Sequence, residues 1–287
     1  MNIDAHIHFW RLARCDNVTL GSTPAMASIY RDREPPDLKP HLDSAGVDRI
    51  VVVQAAETLA ENLYTLGLTR SFSWIAGVVG WIDPVSPSVG EEVATLAADP
   101  RFKGVRPVRD DNQSIAWMLD RRLEPGWRAF QAAGLVVDVL IQNPDEVPLV
   151  EYFVRTHPDM SIVLDHCAKP DIAAGRFEPW ASELTELARH QNVACKFSGL
   201  LNCAARGAGA TELAPYAQHV LAVFGVHRVL WASDWPPLDI AADYSTWRKV
   251  SLELVAGLSG EKRAAVLGGN SERVYRLSRL ASAATAA

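Results

Sequence analysis

Short runs of apolar residues, rich in Val and Ile, recur eight times along this chain, and longer stretches with helical periodicity lie between them. The runs are Ile3 to His8, Arg49 to Ala55, Ile75 to Ile82, Phe102 to Pro107, Leu135 to Ile141, Ser161 to His166, Val193 to Ser198 and Val229 to Asp234. Such alternation predicts βαβ units and a parallel sheet. Most of the runs are almost wholly apolar, as strands covered on both faces must be. Eight strands of this kind close a ring, so the expected fold is α/β, a single (β/α)8 TIM barrel over residues 1–287. A length of 287 residues exceeds the roughly 250 of a minimal barrel, which leaves room for enlarged loops.

Helical periodicity is clearest over Val89 to Ala98, Val147 to His157, Glu178 to His190 and Thr211 to Phe224, with a terminal helix expected at about 261–277 and a frayed tail at 281–287. Two excursions are longer than ordinary connections: Arg11 to Pro40 after the first strand and Leu200 to Leu213 after the seventh. Both follow strands, so both are expected over the catalytic mouth of a barrel. The Gly207-Ala208-Gly209-Ala210 run reads equally as a mobile element or a slack connection.

Composition excludes several partners. A net charge of −6 with scattered Lys and Arg offers no basic stripe for nucleic acid. No apolar stretch reaches the roughly 20 residues of a membrane span, and the N-terminus lacks the pattern of a signal peptide, so a cytoplasmic location is the expectation. Cys15, Cys167, Cys195 and Cys203 show no C-x-x-C spacing and are expected as free, mostly buried thiols. Oligomeric state is not legible.

The chemistry concentrates at strand ends. In Asp4-Ala5-His6-Ile7-His8, strand alternation puts His6 and His8 on one face and Ile3, Ala5 and Ile7 on the other. Two imidazoles converging at a strand's C-terminal end make a half-site for one divalent ion such as zinc. The sixth strand ends at Asp165-His166 and the eighth at Ser233-Asp234-Trp235-Pro236. First and eighth strands adjoin in a closed barrel, so Asp234 is expected beside His6 and His8 as a ligand and general base, with His166 facing them; the alternative for Asp234 is a helix cap. Asp165 is expected to point away from His166 and to be structural. Arg106, and less so Arg109, would orient an oxygen-rich ligand or else form a surface ion pair. Gln142 and Lys196 are expected to bind substrate, although they and Asp138 would also serve as partners to one another. Trp10, Trp81, Trp231 and Trp235 wall a pocket or pack the core. His41, His157, His190, His219 and His227 fall away from the strand ends.

At these residues the chain resembles the amidohydrolase superfamily, in its second large branch and its sugar-lactone hydrolase subgroup. The likeness rests on Ile3 to Trp10, Phe102 to Arg106, Leu164-Asp165-His166-Cys167-Ala168-Lys169-Pro170, Lys196 to Leu200, Trp231 to Pro236 and Gly268 to Arg273. It implies hydrolysis of an aldonolactone such as L-fuconolactone, with Asp234 as the base and His6, His8 and His166 around the metal or oxyanion. The fourth-strand lysine that bridges two metals in binuclear members is not in place, and Gln142 stands where many members carry a metal-binding histidine. The resemblance therefore implies at most one ion, and one that is dispensable in some relatives. Pyrone dicarboxylate lactonases and zinc-dependent decarboxylases of the same branch are the alternatives, together with a barrel that binds without turnover.

Overall fold

The computed structural model describes residues 1–17, 20–108 and 114–278. Arg109 and the tail at 281–287 lie outside them. Eight parallel strands form one sheet in sequence order: β1 (Ile3–Ile7), β2 (Arg49–Val53), β3 (Ile75–Gly80), β4 (Phe102–Val105), β5 (Val136–Val139), β6 (Ile162–Leu164), β7 (Val193–Phe197) and β8 (Val229–Trp231). The ring closes just beyond the β8 ladder, where the Asp234 amide donates to the His6 carbonyl at 3.0 Å and the His8 amide to the Trp235 carbonyl at 2.9 Å. All eight expected runs are strands. Each ladder stops one to three residues before its run does, because the last residues bend into the mouth.

The helices outside the ring are α1 (Pro35–Ala45), α2 (Leu59–Ser71), α3 (Val89–Ala97), α4 (Glu124–Ala132), α5 (Val147–Thr156), α6 (Trp180–Ala188), α7 (Leu200–Cys203), α8 (Ala210–Phe224), α9 (Tyr244–Leu254), α10 (Gly260–Ala264) and α11 (Asn270–Val274). Their starts are set by local chemistry: the Thr58 hydroxyl caps α2 by accepting from the Glu61 amide, and the Asp243 carboxylate caps α9 by accepting from the Thr246 amide. Helix α1 begins five residues before the expected end of the 11–40 excursion. Glu34 and Asp37 cap it reciprocally, and proline occupies its first turn. The expected terminal helix is divided into α10 and α11 by a break at Gly268 and stops at Val274 rather than 277, where Arg276 takes a left-handed φ of 47°.

Two layers of core follow. The outer one lies between strands and helices and holds Ile7, Phe9, Val52 and Leu164 with the helix faces. The inner one fills the barrel: Ile3, Ala5, Val51, Val53, Val136 and Val163 among others, closed by Tyr275 and Leu277. Ile3 and Ala5 therefore face inward, contrary to strict alternation. The reason is a bulge: between Asp4 and Ile7 β1 advances three residues while its partner advances two, from Ile50 to Val52. Asp4 turns to the helix side, and His6 and His8 still reach the interior.

The described residues include no helix long and apolar enough to cross a membrane. The cysteines are free; Cys167 and Cys195 are buried, Cys203 is partly so and Cys15 is exposed.

Candidate active site

Above the apolar filling the barrel turns ionic. Counting up from inward-facing Val136, Val163 and Ala194, the next inward positions are Asp138, Asp165 and Lys196, all essentially inaccessible to solvent. The Lys196 ammonium donates to Asp138, lies 2.9 Å from an Asp165 oxygen and meets His6 Nδ1 at 2.8 Å. The Tyr275 hydroxyl donates to Asp138 at 2.8 Å from below. Burial raises the Asp138 carboxyl to about 6 against the pull of Lys196. Asp165 is buried as well, but Lys196 and His6 hold it well below the usual carboxylate range.

This layer bears on two expectations. Lys196 is wholly enclosed and borders no part of the cavity described below; of its two expected roles, its contacts match that of partner to Asp138. Asp165 does not point away from the site. By alternation from Val163 it faces inward, and it is His166 that the backbone brings round: His166, Cys167, Ala168 and Lys169 have φ of 50°, 54°, 56° and 47°. Four consecutive left-handed non-glycine residues are costly and are retained where function requires them. Gly199 makes room for the turn, since a Cβ there would stand 2.6 Å from the His166 Cβ.

At the mouth the structure brings together His6, His8, His166, Arg106 and Asp234. The Nε2 atoms of His6 and His8 are 3.0 Å apart, and Asp234 Oδ1 lies 3.6 Å from the first and 3.5 Å from the second. His166 Nε2 is 3.7 Å from Asp234 Oδ2, and its Nδ1 meets the Ser198 hydroxyl at 2.9 Å. The Arg106 guanidinium donates to the Gln54 carbonyl at 2.8 Å and lies 3.7 Å from Asp165. Burial lowers the His6 pKa well below 6.5, helped by Lys196, and lowers that of His166 to about 4. Burial alone would raise the Asp234 carboxyl, but His166, His8 and His6 more than offset it and hold the group below the carboxylate range. At neutral pH the mouth thus carries an ionised carboxylate beside uncharged His6 and His166.

The donor set suits a divalent ion. His8 Nδ1 faces the Val53 carbonyl at 2.9 Å; a carbonyl only accepts, so the proton is on Nδ1 and Nε2 presents its lone pair. Because the Lys196 ammonium donates to His6 Nδ1, the proton of the neutral His6 ring is on Nε2 and fills the 3.0 Å gap to His8 Nε2; an ion held there would displace that proton. The separations of His6 Nε2, His8 Nε2 and Asp234 Oδ1 place these atoms on a circle of about 2.0 Å radius, the length of a zinc–nitrogen bond, ~2.0–2.1 Å. A second grouping of His6, Asp165 and His166 uses the other His6 nitrogen and would set a cation against the Lys196 ammonium. The first set is the better site. Lys103, the lysine of β4, sends its amine to the Arg276 carbonyl instead, at 3.0 Å.

A cavity of about 250 Å³ opens above these groups, bordered by His8, Gln54, Arg106, His166 and Asp234 at its base. Gln142 and Lys169, joined by a hydrogen bond, stand on its rim. Trp10 also borders it, whereas Trp235 is fully buried against Phe9 and His41 and does not. Of the two excursions, the one after β1 contributes Asn17, Leu20, Met26 and Ile29; the 200–213 segment contributes no lining residue, and its Cys203 borders a neighbouring hollow. Sequence reasoning missed Gln54 and Lys169. His157, His190 and His219 bond to nearby helix groups, as expected of residues off the strand ends.

Comparison with known proteins gives a consistent neighbourhood. The Amidohydrolase family model matches residues 3–277. The chain is 40% identical over 281 residues to an L-fucono-1,5-lactonase of Burkholderia ambifaria, covering 96% of each. A crystal structure of an amidohydrolase from Burkholderia multivorans with bound HEPES superposes with a TM-score of 0.89 at 31% identity, over 97% of this chain and 100% of that one. The same Burkholderia multivorans protein with bound zinc gives 0.88 at 32% identity over the same shares.

Proposed function

The chain belongs to the amidohydrolase family, and from that premise we propose that it hydrolyses a sugar lactone, L-fucono-1,5-lactone, to the open aldonic acid with one zinc ion. The observation that carries this reading is 40% identity to an L-fucono-1,5-lactonase along 96% of both chains, joined to a mouth where Asp234 stands beside His6, His8 and His166. A single ion suits an ester better than an amide, because an alkoxide departs more readily than an amine and needs less electrophilic help.

His6, His8 and Asp234 would hold the ion, which when bound supplies carbonyl polarisation and a more acidic water. The chain's own groups do the rest. Asp234, ionised and facing His166 through Oδ2, accepts the proton of the attacking water. The water oxygen bonds to the ring carbonyl carbon, and the charge that develops on the carbonyl oxygen lies within reach of the Arg106 guanidinium, whose direction is fixed by Gln54 and Asp165. When the ring C–O bond breaks, Asp234 returns the proton to the departing oxygen. Gln142 and Lys169 on the rim offer hydrogen bonds to the sugar hydroxyls. Lys196 acts from below by holding His6.

The test is a panel of aldonolactones, simple aliphatic lactones, pyrone dicarboxylate and N-acyl amino acids, followed by proton release in weak buffer with and without chelator. The highest kcat/KM is expected on the six-carbon, 6-deoxy aldonolactone, with activity lost on chelation and restored by zinc. An amide or the dicarboxylate leading the panel overturns the reading.

A further inference from the structure

The walls of the mouth differ in chemistry according to their place round the barrel. Leu20, Met26 and Ile29, with Trp10, come from the segment after β1, and Pro237 and Ile240 from the segment after β8. Arg106, Gln142 and Lys169 follow β4, β5 and β6. In a ring ordered β1 to β8 and closed between β8 and β1, these two groups stand on opposite sides. The division has exceptions, with Val108 and Leu140 on the polar side, Asn17 on the apolar one, and Gln54 and Glu57 after β2 between the two. Both cationic side chains that border the cavity nevertheless stand on one side and the large aliphatic cluster on the other. Apolar side chains bordering a ligand cavity gain when a ligand's apolar surface covers them, and Ile240 is 37% exposed.

We infer that this aliphatic wall reads the substituent beside the ring oxygen of the lactone and selects methyl over hydroxymethyl, an inference that rests on the lactonase reading above. A six-membered sugar lactone has two edges running from its carbonyl carbon. One bears the hydroxyls of C2 to C4; the other is the ring oxygen and C5 with its substituent. With the carbonyl between Asp234 and Arg106 and the hydroxyl edge against Gln142 and Lys169, the C5 substituent points to the segments after β1 and β8. A methyl there gains by burial against Met26 and Ile240. A hydroxymethyl placed against the same two side chains must give up water for an apolar contact.

The experiment measures kcat/KM for three lactones of one ring configuration that carry methyl, hydroxymethyl or hydrogen at C5. The native chain is expected to favour methyl over hydrogen by roughly 10-fold and over hydroxymethyl by roughly 10- to 100-fold. Met26→Gln and Ile240→Thr are each expected to bring the methyl-to-hydroxymethyl ratio within roughly threefold of unity, which is the loss of that apolar discrimination. A ratio taken within one preparation cancels any loss of folded enzyme. Methyl and hydroxymethyl lactones turned over equally by the native chain, or a ratio unchanged in both variants, refutes the inference alone; a native chain that turns over none of the three refutes the lactonase reading with it.

Discussion

Replacing Lys196 with Met tests whether the ionic layer under the mouth is structural. The ammonium is shared by Asp138 and Asp165, and all three groups are closed to solvent. At 2.9 Å from Asp165 and an effective dielectric constant of about 20, the attraction amounts to about 6 kcal/mol before desolvation is subtracted. Removing one partner of such a pair costs about 3–5 kcal/mol, chiefly because the other charge is left buried and uncompensated. The lower end is expected here, since Asp138 already sits at about 6 and without Lys196 will bind a proton. The loss should therefore be smaller at pH 5.5 than at pH 8. Against a total stability of about 5–15 kcal/mol the variant still folds, with a visibly lower urea midpoint by circular dichroism. Adding Asp138→Asn removes one orphaned carboxylate and should recover at least about 1 kcal/mol. The reasoning fails if Lys196→Met loses less than about 1 kcal/mol at both pH values, below the cost of breaking a buried pair; a raised KM with native stability would return Lys196 to substrate binding.

Asp234→Asn keeps the shape of the side chain but cannot take the water proton, so kcat should fall at least about 100-fold; near-native turnover would remove Asp234 as the base. His6→Ala and His8→Ala should each strip the purified protein of zinc, read by elemental analysis, and zinc retained in both would exclude the proposed ligand set. Glu61 gives a pH prediction of unusual sign. Burial raises its carboxyl from 4.5 to about 7, so the folded chain binds more protons than the unfolded one between these values and stability should fall as pH rises through them, by up to about 3 kcal/mol. Glu61→Gln keeps an oxygen for the Ala55 amide and should flatten that slope in urea midpoints taken from pH 4.5 to 8.

The fold was legible because buried parallel strands leave an unambiguous trace: eight apolar runs became eight strands, and His6, His8 and Asp234 met at one mouth as the adjacency of β1 and β8 demands. What alternation could not deliver was parity. It put Ile3 and Ala5 on the wrong face because a bulge is a backbone event with no residue type of its own. It also took His166 as the inward residue of β6 and dismissed Asp165, although counting from Val163 would have put Asp165 inside. The left-handed turn that rescues His166 has no glycine to announce it. The role of Lys196 stayed open for a related reason: a lysine near a strand's end looks like a rim residue until the two aspartates that enclose it, from β5 and from the end of β6, are known to lie at its level.

The bulge in β1 explains why Asp4 precedes the two histidines. Under strict alternation Asp4, His6 and His8 would share the interior face, adding a third carboxylate beside Asp138 and Asp165 with Lys196 as their common cation. With one residue inserted, Asp4 turns outward instead. There it accepts from the Ser233 amide at 2.9 Å, from the His6 amide at 3.2 Å and from the Tyr244 hydroxyl at 2.8 Å. Ser233 is the residue before Asp234, so Asp4 ties β1 to the end of β8 beside the place where the ring closes. The separations of His6 and His8 from Asp234 are thus set by a backbone clamp on the opposite side of the strand, away from water and ligand. Burial raises the Asp4 carboxyl to about 6 even with these donors, a cost that is understandable if its function is geometric. Bulges beside active sites commonly re-aim a side chain; this one sends a carboxylate out of the barrel to become the brace for the imidazoles that remain inside.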